Sequence, residues 1–122
     1  MKLNHDCIRD LIIFIEDTTT ASKPYVLSSQ IYDYLSHKYD DETLNYHIIY
    51  IYEADIVRNL SLADGNIPIT IWDLTPIGHD YANNIRNNKV WDKLKVATSK
   101  FTSISLPILI EKSSEILLNM IT

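Results

Sequence analysis

The chain has 122 residues, a formal net charge of −5 and only two glycines, Gly65 and Gly78. That length supports a single core of about six elements rather than a separate catalytic domain, and so few glycines exclude a glycine-rich phosphate cradle. The lone cysteine, Cys7, excludes an internal disulfide and reads as a small core residue of a chain in a reducing, cytoplasmic compartment.

The first residues, MKLNHD, lack the apolar stretch of a signal peptide. The longest apolar runs fall far short of the ~20 residues that span a bilayer, so a soluble protein with no membrane partner is expected. Ile8, Leu11, Ile12 and Ile15 then repeat at helical spacing, with Asn4 or Asp6 to cap the start and the run from Asp17 to Pro24 to end the helix. Ser28 or Ser29 is placed to cap a short second helix through Ile31, Tyr32 and Leu35, stopped by the polar cluster His37 to Asp41. Asp40 or Asp41 caps a third, whose core stripe is Leu44, Ile48 and Ile51 with Tyr52 beside it. The β-branched runs Ile56 to Leu62 and Ile67 to Leu74 flank Ala63, Asp64, Gly65 and Asn66, where an Asp-Gly pair predicts a hairpin. Pro68 makes the second run an edge at that point. Thr75 offers an N-cap oxygen, Pro76 sits where a missing N–H costs nothing, and Ile77, Tyr81, Ala82 and Ile85 fall on one face of a fourth helix. Asn87 and Asn88 make a short junction, Val90, Trp91, Leu94 and Phe101 give a fifth helix its apolar side, and Ser105 with Pro107 starts a sixth.

The order helix, helix, helix, hairpin, helix predicts an α+β, mostly helical fold that is winged-helix-like, with two additional C-terminal helices. Residues 1–87 are expected to form the winged-helix-like domain, and 88–122 a helical extension that packs on it or on a second copy. The sixth helix is the most apolar element, carrying Ile108, Leu109, Ile110, Ile116, Leu117, Leu118, Met120 and Ile121. Such a helix needs a cover, and a homodimer through it is expected. Lys112 as its only basic residue disfavours an interfacial membrane helix.

Charge is spread unevenly. From Met1 to Ile56 there are ten Asp and Glu against Lys2, Arg9, Lys23 and Lys38, whereas Lys89, Lys93, Lys95 and Lys100 gather with only Asp92 opposing them. An anion-binding surface belongs to that later segment. The third helix of a winged helix normally enters the major groove. Here it has no Lys or Arg, and carboxylates repel phosphate, so nucleic acid is a disfavoured partner. Asn45 and His47 remain as base contacts, and Arg58, Arg86, Lys89 and Lys93 as the anion- or DNA-binding set of an alternative reading.

Tyrosine buries a large rigid area and keeps a polar tip, which suits protein-binding hot spots. Tyr46, Tyr50, Glu42, Asn45 and Glu53 form the expected partner-binding face, with Tyr39 on the same side and Tyr32 or Tyr34 nearby on the second helix. The plain alternative is that these rings complete the core with their hydroxyls at the surface. Gly78, His79 and Trp91 read as a structural junction. Arg86 at one helix end and Trp91 at the next start either fix the angle of the tail or join Lys89 and Lys93 in an anion-binding corner.

No catalytic residue, metal ligand set or cofactor is expected. His5, Asp6 and Cys7 are consecutive and point apart on a helix. Asp80 beside His79 is explained by the helix dipole, and no serine sits between nucleophile-elbow glycines. The chain does not read as an enzyme.

The segments MKLNHDCIRDLIIFIED and TLNYHIIYIYEADIV, and above all LTPIGHDYANNIRNNKVWDKLK, resemble the family of bacterial and phage proteins catalogued as domain of unknown function 2513. The resemblance spans nearly the whole chain, and its most specific part runs from Gly78-His79-Asp80 to Trp91. It implies a small winged-helix-like protein of phage or prophage background, with no activity or catalytic residues to carry over. Asp55 stands where a glycine commonly follows the Glu-Ala pair, which argues against a tight helix exit, and Pro76-Ile77 replaces a more usual Trp-Glu. The expected function is a non-enzymatic, phage-type interaction protein that binds a host or defence-system protein through the acidic, Tyr-rich face, in the host cytoplasm. The alternatives are a dimeric winged-helix DNA-binding transcriptional regulator and an oligomeric structural or assembly protein.

Overall fold

The computed structural model describes residues 1–99 and 104–122. Its elements are α1 (His5–Thr18), β1 (Tyr25–Leu27), α2 (Ser28–Leu35), α3 (Asp41–Glu53), β2 (Leu60–Ala63), β3 (Ile67–Trp72), α4 (Pro76–Arg86), α5 (Asn88–Thr98) and α6 (Leu106–Ile121). The protein is therefore mostly helical α+β, with one small three-stranded antiparallel sheet. Lys100, expected in the cationic segment, and Phe101, expected on the apolar side of the fifth helix, lie outside the described residues. The chain divides into two compact units, Met1–His79 and Asp80–Thr122. The boundary expected at residue 87 falls between α4 and α5, inside the second unit.

In the first unit, Asn4 caps α1 by accepting the Cys7 N–H at 3.1 Å, and the helix buries Cys7, Ile8, Leu11, Ile12 and Ile15. Asp40 caps α3 by accepting the Thr43 N–H at 2.8 Å, and hydrogen bonding from Thr43 holds its carboxyl below the usual range. α3 buries Leu44, Ile48 and Ile51 as the periodicity predicts, together with His47. α2 begins differently from expectation. Neither Ser28 nor Ser29 caps it; strand β1 runs straight into the helix, Leu27 takes the N-cap position, and the Gln30 side-chain oxygen accepts the Leu27 N–H at 2.8 Å.

β1 was not predicted, because three residues are too short to show a period. It pairs antiparallel with β3 through Tyr25↔Trp72, Val26↔Ile71 and Leu27↔Thr70, giving the strand order β1-β3-β2. Pro68 lies beyond that register and faces only Leu62 of β2, so β3 is an edge there, where a missing N–H is tolerated. The turn between β2 and β3 places Gly65 at φ 78° and Asn66 at φ 61°, both left-handed.

The exit of α3 is tight despite Asp55. That residue adopts φ 63°, its N–H bonds to Tyr52 C=O at 3.1 Å, and the Ile56 N–H reaches back to Ile51 C=O at 2.9 Å. This is a Schellman cap with an aspartate in the position that favours glycine, and the expected loosening does not occur.

α4 starts as predicted: Thr75 Oγ1 accepts the Gly78 N–H at 3.1 Å, and the His79 N–H bonds to Thr75 C=O at 2.8 Å. Its buried positions are Gly78, Tyr81, Ala82 and Ile85, spaced three and four apart, together with the polar Asn84, while Ile77 is 47% exposed and is not part of that face. In the second unit, Asn87 caps α5 by accepting the Lys89 and Val90 N–H groups. α5 buries Val90, Trp91 and Leu94 and packs with α6, which buries Leu106, Leu109 and Ser113. The Asn84 amide of α4 donates to Ser113 Oγ at 3.0 Å and Ser114 Oγ at 2.8 Å, a polar clasp on the same helix. The apolar cover expected for α6 is incomplete: Leu118 is 57% exposed and Ile121 72%. Among the described residues, no helix is long and apolar enough to cross a membrane.

Candidate functional site

At 100° per residue, burial of Leu44, His47, Ile48 and Ile51 puts Glu42, Tyr46, Tyr50 and Glu53 on the opposite side of α3. Glu42 and Glu53 are exposed, Tyr46 is 40% exposed and Tyr50 is half-buried. Asn45 borders this face, and its side-chain oxygen accepts the Tyr32 hydroxyl of α2. The five residues expected to form a partner-binding face thus lie along one helix, with Tyr32 supporting them from the next. The surrounding charge is strongly negative: Met1–His79 holds twelve Asp and Glu against five Lys and Arg, a net charge of −7.

Three other residues assigned to this region face elsewhere. The Tyr39 hydroxyl donates to Asp10 Oδ2 on α1 at 2.8 Å, where Lys38 Nζ also approaches at 3.3 Å. Burial and that hydrogen bond push the Tyr39 pKa up, so this ring belongs to the seam with α1. Tyr34 stacks on Phe14 with ring centroids 4.9 Å apart. His47 is fully buried and unavailable to nucleic-acid bases. Its Nε2 accepts the Asn4 N–H at 2.8 Å and its Nδ1 lies 2.8 Å from Thr43 C=O, which can only accept. The neutral tautomer with the proton on Nδ1 satisfies both partners. Its position three after Leu44 and four before Ile51 was the available sequence signal for burial. The Tyr46 ring packs edge-on against the imidazole at 5.3 Å.

A second cluster forms where β3 passes into α4. Thr75 Oγ1 donates to Asp55 C=O at 2.6 Å, and the Thr75 N–H bonds to Ile56 C=O at 2.9 Å. The helix start is thereby pinned on the exit of α3. A Cβ at residue 78 would overlap the Ile56 oxygen and meet Leu74 Cβ at 3.1 Å, which explains the glycine. His79 Nδ1 lies 3.1 Å from Glu16 Oε2, and its Nε2 lies 3.9 Å from Asp73 Oδ1.

Among the expected anion contacts, Arg58 is exposed in the first unit, and Arg86, Lys89 and Lys93 are exposed in the second. Lys89 and Lys93 are four apart and share one side of α5. Trp91 is only 6% exposed and lies on the other, buried side, so its ring is not part of a corner with those lysines. Among the described residues, no three His, Cys, Asp or Glu side chains are grouped to hold a metal ion. The Cys7 thiol is buried, and that burial, with the Asp10 charge, pushes its pKa up to about 12, so it is no nucleophile at neutral pH.

A family model described as "Hypothetical protein (DUF2513)" matches residues 2–105. A protein of Haemophilus influenzae strain Rd, titled "Uncharacterized protein", is 28% identical over 123 residues, covering 99% of this chain and 99% of that one. No solved structure matches.

Proposed function

The chain belongs to the DUF2513 family of hypothetical proteins, and we propose that it is a non-enzymatic interaction protein whose first unit is a winged helix turned to protein docking. Support for the winged helix is the succession α1-β1-α2-α3-β2-β3 with strand order β1-β3-β2. In that reading α3 occupies the position of a recognition helix and β2-β3 is the wing.

The observation that carries the docking reading is the outward face of α3. It presents Tyr46 and Tyr50 between the carboxylates of Glu42 and Glu53, and neither α3 nor the segment Leu60–Trp72 contains a single Lys or Arg. Sequence-independent affinity for DNA comes mainly from cations that release counterions, and the two elements a winged helix lays on a duplex have none. Tyrosine rings rimmed by carboxylates instead suit a basic protein surface, with the rings supplying contact area and the charges steering encounter. The phage or prophage setting implied by the resemblance makes a host or defence-system protein the expected partner, met in the host cytoplasm.

The test is an affinity pull-down from host lysate with the full chain and a Tyr46→Ala, Tyr50→Ala variant of unchanged circular dichroism, each with and without nuclease. A discrete protein recovered in both nuclease arms and lost with the variant is the expected result. Recovery that depends on nucleic acid would overturn the reading in favour of a dimeric DNA-binding regulator. That second reading has one observation in its favour: Asp80–Thr122 holds six Lys and Arg against four Asp and Glu, with Lys89 and Lys93 exposed on one side of α5. It predicts duplex affinity that falls steeply with salt and weakens in Lys89→Gln, Lys93→Gln.

A further inference from the structure

We propose that the pocket between α1 and α2 receives an arginine side chain of another polypeptide, at a site separate from the docking face on α3. One stripe of α1 lines it with Asp10, Phe14 and Asp17, at i, i+4 and i+7, and α2 lines it with Tyr34 and Leu35, followed by Lys38 beyond the helix end. Tyr34 stacks on Phe14 with ring centroids 4.9 Å apart and an interplanar angle of 28°, yet it is 60% exposed, so aromatic surface stays open to a ligand. The volume is about 280 Å³, at the lower limit of the roughly 300–1,000 Å³ that small-molecule sites occupy, which suits one long side chain rather than a nucleotide or larger cofactor. Tyr32, two residues before Tyr34, gives its hydroxyl to Asn45 of α3, which puts this pocket and the α3 face on opposite sides of α2.

Charge and ring chemistry decide the occupant. Asp10 and Asp17 stand two turns apart on α1, about 10 Å at 1.5 Å per residue. Asp10 is engaged, accepting the Tyr39 hydroxyl at 2.8 Å and Lys38 Nζ at 3.3 Å. The pocket's own ammonium is thus held at one end, about a Debye length from Asp17 in physiological salt, and does not offset the carboxylate at the other. The lining has two carboxylates against one lysine, within a unit of net charge −7, a field that repels phosphates and other anions. A guanidinium matches both the rings and the charge: its plane stacks on an aromatic face and its fork of donors pairs with a carboxylate, whereas a lysine ammonium is a compact, strongly hydrated charge. The aliphatic stem of arginine suits the apolar surface of Leu35 and Phe14 beneath it. Free arginine would bring its own carboxylate into the negative field, so a side chain within a polypeptide is the form that fits.

NMR titration of the isotope-labelled full chain with the peptide acetyl-Gly-Arg-Gly-amide reads this directly. Saturable shifts centred on Phe14, Asp17 and Tyr34 are expected, with a Kd on the order of 1 mM for a single side chain. The same peptide with citrulline, which keeps the shape without the charge, or with lysine, which keeps the charge without the plane, should bind at least about threefold more weakly. Asp17→Asn and Tyr34→Leu, both at exposed positions and with unchanged circular dichroism, should weaken the arginine peptide by a similar factor. Tyr46→Ala, Tyr50→Ala should leave its binding unchanged, which separates this site from the α3 face. Absence of saturable shifts, equal binding of the citrulline or lysine peptide, binding unmoved by Asp17→Asn or Tyr34→Leu, or loss of binding in the α3 variant would each overturn the proposal. So would tighter binding of propylguanidine, the bare side chain, than of the peptide, since the site would then favour a free small molecule.

Discussion

The carbonyl oxygen of Ile56, just past the end of α3, lies so close to the backbone of Gly78 that no Cβ fits between them. Thr75 holds that approach in place, with its hydroxyl on Asp55 C=O and its N–H on Ile56 C=O. In an open helix, replacing glycine by alanine stabilises by roughly 0.5–1 kcal/mol. Here the sign should reverse, because the obstructing atom is backbone and cannot swing aside. Gly78→Ala is expected to destabilise the protein by about 1–3 kcal/mol, read from the urea midpoint. An unchanged midpoint would show that the start of α4 can back away from α3.

Asp55 presents the opposite case. A left-handed conformation costs an ordinary L-residue about 1–2 kcal/mol, and aspartate somewhat less because its short polar side chain tolerates the region. The φ of 63° at Asp55 is fixed by the two bonds that close the helix, from its own N–H and from that of Ile56. Asp55→Gly should therefore stabilise by about 0.5–1 kcal/mol, after allowing for the greater freedom of glycine in the unfolded chain. Asp55→Val should destabilise, since a β-branched residue is worst suited to positive φ. If the glycine variant were no more stable than the parent, the cap would be carrying no strain.

These two positions also mark what the sequence discloses and what it hides. The apolar spacing of α1 and α3, the Asp-Gly hairpin and the Thr75-Pro76 helix start are local signals, and each is visible in a window of a few residues. β1 is three residues long and exists because β3 offers Ile71 and its neighbours as partners, a condition far away in sequence. The reason for Gly78 is likewise tertiary: it lies in the carbonyl of Ile56. Within the candidate site, helical spacing alone put Glu42, Tyr46, Tyr50 and Glu53 on one side of α3. It did not reveal that Tyr39 bonds to Asp10 on α1, or that His47 is enclosed by the entry to α1.

Alkaline stability should fall in two stages. Burial, reinforced by Asp10, lifts the Cys7 thiol from its ordinary 9.0 to about 12, and burial with the Asp10 hydrogen bond also raises Tyr39. For acids whose folded pKa is raised, the unfolded chain releases protons that the native state retains, so the native state loses ground as pH rises. The contribution of Cys7 is complete below about pH 9 and declines above it, and that of Tyr39 declines above about pH 10. Urea midpoints measured from pH 7 to 11 should drop over that interval, and Cys7→Ala should remove the earlier part of the drop. Iodoacetamide should label Cys7 only as fast as the protein unfolds; rapid labelling of the native chain would contradict the burial of the thiol.

His47 joins the middle of the chain to its beginning. Its Nε2 accepts the N–H of Asn4, the residue whose side chain in turn caps α1 through the Cys7 N–H and whose carbonyl receives the Ile8 N–H at 3.1 Å. Loss of the imidazole leaves a cavity beside Leu44 and Ile48 and strips Asn4 of its acceptor, although water can reach that exposed residue. His47→Ala is therefore expected to cost about 2–3 kcal/mol, most of it from packing. The more telling readout is local. If His47 positions the cap, hydrogen exchange at Cys7 and Ile8 should quicken in His47→Ala by more than the global loss accounts for, while exchange at Ile15, near the far end of α1, follows the global loss alone. Exchange quickening uniformly along α1 would mean that the histidine fills space without placing Asn4. In the parent protein, long-range proton–nitrogen spectra should show the ring proton on Nδ1, the one arrangement that matches an acceptor at Thr43 and a donor at Asn4.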